Sequence, residues 1–352
     1  MQRLLLPAVL GLAHGIADAA AGFLLGTLPQ SLSLEQSGLL ILLYNGLAFG
    51  YQPLVGMVTD KIKRPRLAVL MGLLVLSLAL FSVNWQLQFA VILAGMGSAA
   101  FHVGGGAIAV WATPKSTLGA GLFAAPGVVG LAVGGALGFA GYEGTGLLVS
   151  LLLIVMGAIA LMPLPKLPYR QSSDPDSVQE LAVEDRDLLV LVVLSAIALT
   201  SLVWTSFDFM LRGNTSVLIA MAVAAAVGKI LGGSLATRWG WRLWTVGTLT
   251  LSTLLLALGG HHLLTLLPAM ALLQSSIPVT LAATAHLMPE QPATGAGFAL
   301  GLAIAIGGIP VVAGLGEITS IPVISAVLVM VVMVLLGWVL NTKMISTTGI
   351  RK

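Results

Sequence analysis

The stretch "GMVTDKIKRPR", Gly56 to Arg66, carries five charges between Asp60 and Arg66, in a chain of which only 8% of the residues are charged. On either side run long apolar stretches. The 352 residues are 58% hydrophobic, with a mean hydropathy of +1.04. A soluble globule lacks the polar surface to cover such a composition, whereas runs of roughly 20 apolar residues suit a bilayer. The charged cluster therefore reads as a loop between two membrane spans. Twelve spans are expected, near 4–28, 36–58, 67–83, 87–111, 118–140, 144–163, 188–209, 215–236, 243–259, 263–287, 295–314 and 319–340. The first contains His14 and Asp18 and exceeds a signal-peptide core, so it reads as a span rather than a cleaved leader. The absence of cysteine excludes disulfides and thiolate metal sites.

Most links between spans are very short. The exception is "KLPYRQSSDPDSVQELAVEDRD", residues 166–187, which is acidic and proline-punctuated. It divides the chain into an N-terminal six-helix bundle (1–165), a linker (166–187) and a C-terminal six-helix bundle (188–352). The halves look duplicated. "GSLATRWGWR", Gly233 to Arg242, repeats the opening pattern 177 residues on, and "TLGAGLF" before the fifth span returns as "ATGAGFA" before the eleventh at an offset of 176. Six spans return the chain to its starting side, so the copies share one orientation, as parallel transporter repeats do. Of the sixteen Lys and Arg residues, fourteen fall on the side of the N-terminus; Arg212 falls opposite and Lys229 lies within a span. The positive-inside rule then puts both termini in the cytoplasm. Topology accounts for Lys61, Lys63, Arg64 and Arg66. It does not account for Asp60, or for the glycine four residues before it.

Those residues resemble the signature loop of the major facilitator superfamily: a glycine, three residues, an aspartate and a basic cluster. Gly56, Asp60, Lys61, Arg64 and Arg66 match it, with Lys63 at a usual glycine. "GSLATRWGWR" is similar to the second, degenerate copy through Gly233, Arg238 and Arg242, with Thr237 at the aspartate position. The resemblance implies an all-α membrane protein of twelve transmembrane helices in two pseudo-symmetric six-helix bundles. It also implies that Asp60 caps helix 11 and latches the halves together in an outward-open state. "AHGIAD", "YQPLVG" and "FHVGGG" look most like the fosmidomycin-resistance efflux group of that superfamily, with Val103 at a usual proline. Helix 5, "GVVGLAVGGALG", is similar to an antiporter motif but has Leu131 at its proline. Small residues that let helices approach explain the same stretch.

Ionisable groups inside a bilayer are costly, at roughly 2.5–3.5 kcal/mol each, which makes them functional candidates. His14 and Asp18 lie four apart on one face of helix 1. His102 lies in helix 4, and the resemblance puts helices 1, 4, 7 and 10 around a central cavity. A carboxylate beside histidines there can load and release a proton; alternatively it forms a purely structural pair. Lys229 in helix 8 suits an anionic substrate or a buried carboxylate. Polar positions expected along the cavity are Tyr44, Asn45, Gln52, Trp204, Thr205, Gln274 and Ser275. The expected function is a proton-coupled exporter of a drug-like or anionic small molecule, acting as a monomer in a bacterial cytoplasmic (inner) membrane. No nucleotide-binding loop, cofactor or nucleic-acid partner is expected. A metal-ion transporter using His14, Asp18 and His102 is the alternative within transport. A non-transporting scaffold or intramembrane enzyme is the alternative of another class, but no catalytic motif supports an enzyme.

Overall fold

The computed structural model describes residues 2–169, 183–211, 213–260 and 262–342. They form twelve helical rods: α1 (Gln2–Ser31), α2 (Leu34–Ile62), α3 (Pro65–Ser82), α4 (Leu87–Ala112), α5 (Leu118–Phe139), α6 (Thr145–Leu161), α7 (Val183–Met210), α8 (Thr215–Trp239), α9 (Trp241–Gly259), α10 (Leu263–Leu287), α11 (Pro292–Thr319) and α12 (Pro322–Val339). No strand occurs among the described residues. Eleven rods are long and apolar enough to cross a bilayer by length and composition. The other, α6, has 17 apolar residues, about 25 Å at 1.5 Å per residue. Local chemistry sets the boundaries. Ser33 and Gln36 form a capping box at the start of α2. Lys63 ends α2 in the left-handed region at φ 57°. Proline opens α3 and α12 at a position where a missing N–H costs nothing.

Several boundaries differ from the expectation, three of them around the link between α11 and α12. Helix α11 begins at Pro292 and continues to Thr319, and α12 begins at Pro322. "TLGAGLF" and "ATGAGFA" thus form the opening turns of α5 and α11 rather than preceding those spans. Their glycine and alanine content suggests a break, but in the membrane small residues serve close packing inside helices. Of the linker, residues 170–182 lie outside the described ones.

The contacts repeat between halves. Helix α1 packs on α5 as α7 packs on α11; α3 packs on α4 and α6 as α9 packs on α10 and α12. The halves meet where α2 crosses α11 and where α5 crosses α8. The α1–α5 seam is built of glycine. A Cβ on Gly22 would come within 2.9 Å of the Gly135 nitrogen, so no larger residue fits that approach. Both α2 and α11 contain a π-helical turn, Gly46–Gly50 and Phe298–Leu302, and these turns touch each other midway along the inter-half seam.

Candidate functional site

Three titratable side chains from two helices converge in the N-terminal half. His14 Nε2 lies 3.1 Å from Asp18 Oδ2, and His102 Nε2 lies 3.6 Å from Asp18 Oδ1. The two imidazoles meet edge to face, with ring centres 4.5 Å apart. Both histidines are buried, while the Asp18 side chain keeps 14% of its exposure. The second nitrogen of each ring is tied to backbone. His14 Nδ1 lies 2.8 Å from the Phe123 carbonyl, and His102 Nδ1 lies 2.8 Å from the Ser98 carbonyl. A carbonyl oxygen only accepts, so each ring holds an N–H at Nδ1. Each neutral ring then aims an Nε2 lone pair at the same carboxylate. The 3.1 Å contact between His14 and Asp18 needs a proton between two atoms that are otherwise both acceptors. The trio thus sets two ring nitrogens against one carboxylate. Its ligand atoms also lie within 4.8 Å of one another, so the set could hold a metal ion.

Helix α5 supplies the wall of this site. Pro126 sits inside α5 and removes one helix hydrogen bond, three residues beyond the carbonyl that His14 uses. Gly127 leaves room for the pair: a Cβ there would stand 2.7 Å from Asp18 Oδ2 and closer still to His14 Nε2. On the other flank the Tyr44 hydroxyl of α2 reaches Ser98 Oγ at 3.4 Å, and Ser98 Oγ lies 3.2 Å from His102 Nδ1. Across the seam, Lys229 of α8 packs on α5, the helix that walls the trio: a Cβ on Gly121 would stand 2.6 Å from the Lys229 carbonyl oxygen, and the lysine lies within electrostatic reach of Asp18 and His102. It forms no ion pair within 4.0 Å among the described residues.

A second constellation closes the end of the bundle that carries both termini. Asp60 of α2 accepts from the Ala293 N–H (3.0 Å), the Thr294 N–H (2.8 Å) and the Thr294 hydroxyl (2.7 Å) at the start of α11. An anion at a helix N-terminus meets about half a positive charge. Gly56, one turn earlier, permits the approach: a Cβ there would lie 2.6 Å from the Thr294 Cα. The pseudo-symmetric position carries a neutral version. Thr237 Oγ1 of α8 accepts from the Thr117 N–H at 3.1 Å and lies 3.0 Å from the hydroxyls of Ser116 and Thr117, at the start of α5. Gly233 lies beside Gly121 there. Hydrogen bonds between the halves cluster at this end.

The Major Facilitator Superfamily model matches residues 8–315. The chain belongs to that superfamily. An uncharacterised MFS-type transporter of Bacillus subtilis (strain 168), YfnC, is 24% identical over 345 residues, covering 87% of this chain and 84% of the relative. Among solved structures, the MFS transporter FucP in its outward conformation superposes with a TM-score of 0.72 at 15% identity, covering 97% of this chain and all of that one. The human organic anion transporter MFSD10 gives 0.68 at 14% identity, covering 95% and 99%. The protein is a multi-pass membrane transporter of this superfamily, not an enzyme.

Against this superfamily frame, the basic residues of the signature loop separate into two groups. Arg66 leaves the seam altogether: it donates to the carbonyls of Ala160 (3.1 Å) and Met162, at the end of α6. Arg242 does the same within the other half, donating to the Gly337 carbonyl of α12 at 3.2 Å. They cap C-termini inside each half rather than latching the halves together. Lys61, Arg64 and Arg238 are exposed. Of the expected cavity positions, Tyr44 joins the histidine relay. Gln52 is buried, donating from Nε2 to the Ala48 carbonyl at 2.7 Å with its Oε1 unpartnered. Asn45 is exposed and Gln274 is buried, while Trp204 and Thr205 are half-buried. The Ser275 hydroxyl donates to the Leu272 carbonyl at 2.6 Å.

Sequence reading missed Ser116, Thr117 and His286. His286 at the end of α10 lies 3.1 Å from the Pro114 carbonyl, between Trp111 and Trp241. Lone polar residues at span ends carry no periodic signal. It also missed Tyr169, whose hydroxyl is buried without a partner. Burial and the nearby Asp60 carboxylate raise that phenol above the ordinary tyrosine value.

Proposed function

We propose that this protein moves a small molecule by alternating access, driven by protons loaded and released at Asp18 with His14 and His102. The observation that carries the reading is the shared carboxylate: two imidazoles, each fixed as an Nδ1–H donor to backbone, face one acid across which a proton must sit. A buried carboxylate that exchanges protons with the two sides in turn is what coupling requires. The positive-inside distribution supports the end closed by Asp60 and Thr237 as the cytoplasmic one, with both termini there.

Asp18→Asn fixes the neutral state. In proteoliposomes it should abolish uptake or efflux driven by a pH gradient while leaving substrate exchange at equal pH within about twofold. Full gradient-driven transport by this variant would sink the coupling role. A drop in melting temperature with both activities lowered together would make the trio a structural pair. The 4.8 Å grouping of ligand atoms favours a second reading, a divalent metal ion as cargo. Metal-dependent flux that vanishes in His102→Ala would favour it over proton coupling.

A further inference from the structure

The charges around the central site do not balance once the trio holds a proton. Away from the helix ends, the described spans carry four acidic or basic side chains: His14 and Asp18 on α1, His102 on α4 and Lys229 on α8. Of the other helices packed on α1, α2 brings Tyr44, α5 brings only the Phe123 carbonyl and Gly127, and α3 and α6 bring no titratable group apart from Arg66 at the start of α3. With neutral imidazoles and an ionised Asp18, the site sums to zero against the Lys229 ammonium. With the proton that the His14–Asp18 contact calls for, it sums to +1. Among the described residues Lys229 makes no ion pair within 4.0 Å that could absorb the excess.

We propose that the substrate is an anion held by Lys229, and that it binds and crosses together with the proton on the trio. The inference rests on the proton-coupled reading above and adds the substrate class and the direction of coupling to it. Two states of the occluded site are neutral: one with neither ligand, and one with both proton and monoanion. The proton alone leaves +1, and the anion alone leaves −1. Desolvating an uncompensated charge is what a closing cavity resists most. Each ligand therefore raises the affinity for the other, and linkage makes that effect reciprocal. The ammonium disfavours a cationic cargo for the same reason. With protons moving inward down their gradient, the coupling makes the protein an importer, opposite to the exporter that the family resemblance implies.

The test uses the full-length protein in detergent with a panel of small organic monoanions, namely benzoate, hexanoate and methylphosphonate monoester, each beside its uncharged amide or diester. Melting temperature is read at pH 6 and pH 8, and proton uptake is followed by electrode in weakly buffered solution. The expected result is stabilisation by at least one anion and by none of the uncharged counterparts, larger at pH 6, with about one proton taken up per anion bound. Lys229→Met should weaken anion binding tenfold or more. Asp18→Asn should still bind the anion, with affinity independent of pH and no proton uptake. Equal stabilisation by an uncharged counterpart, wild-type anion binding by Lys229→Met, or no stabilisation by any anion of the panel overturns the substrate class. Wild-type proton uptake by Asp18→Asn overturns the coupling reading instead, so the two failures are told apart.

Discussion

At Asp18 the arrangement depends as much on what is missing as on what is present. Gly127 contributes no side chain, and the His14–Asp18 contact fills the space a methyl group would take. Gly127→Ala should push the pair off α5 at a cost of about 1–3 kcal/mol, the usual range for overpacking. The informative readout is the pH profile of transport, which should move by half a unit or more while the purified protein still elutes as a folded species. Combining it with His14→Ala frees the space again, so the second substitution should remove the added effect of the first. An unchanged pH profile in Gly127→Ala would make this glycine ordinary packing. The spacing of His14 and Asp18 was legible in the sequence as one helix turn, and His102 as an ionisable group on another cavity helix. The Phe123 carbonyl, Pro126 and Gly127 were not. They act through backbone geometry and through the lack of a side chain, and neither leaves a chemical signature in a chain with 42 glycines.

Among the helices, the signature loop performs two jobs that a linear motif merges. Asp60 faces α11 across the seam, whereas Arg66, six residues later, turns back to the last carbonyls of α6. A cation at a helix C-terminus contributes about 0.3–1 kcal/mol when exposed, and each hydrogen bond from a charged donor about 1.5–3 kcal/mol when desolvated. Arg66 is half-buried, so Arg66→Gln should lower stability by about 1–2 kcal/mol, read as a lower melting temperature, without changing the ratio of gradient-driven transport to exchange. Selective uncoupling by this variant would return Arg66 to the latch. The sequence shows the charges of Gly56–Arg66 and, through the positive-inside rule, predicts their side of the membrane. It does not show which charge reaches which neighbour, because long side chains choose partners in three dimensions. The span count was legible for the opposite reason: twenty apolar residues in a row admit few other readings. Where small residues blurred that signal, at the start of α11, the expected boundary fell three residues late.

For the whole molecule, closure at the terminal end is held by two related contacts of different chemistry. Asp60 offers a charge to the start of α11, and Thr237 offers a hydroxyl to the start of α5. Rigid-body rocking of one half against the other must break both. Asp60→Asn keeps one acceptor and loses the charge, at about 2 kcal/mol on the scale of charge-assisted hydrogen bonds. Thr237→Val removes neutral hydrogen bonds, at about 1 kcal/mol. The two sites share no hydrogen-bond partner, so their effects should add. The double variant should then shift the equilibrium towards opening at this end by about 3 kcal/mol, roughly 150-fold, against roughly 30-fold for Asp60→Asn alone. The cysteine-free chain makes the measurement direct. Lys115→Cys and Glu290→Cys place one spin label on an exposed loop of each half, and their distance distribution reports the closed and open populations. Dependence on salt should separate the contacts further, because only the charged one is open to screening. If the double variant opens no more than Asp60→Asn, the hydroxyl cluster plays no part in closure and the charged latch acts alone.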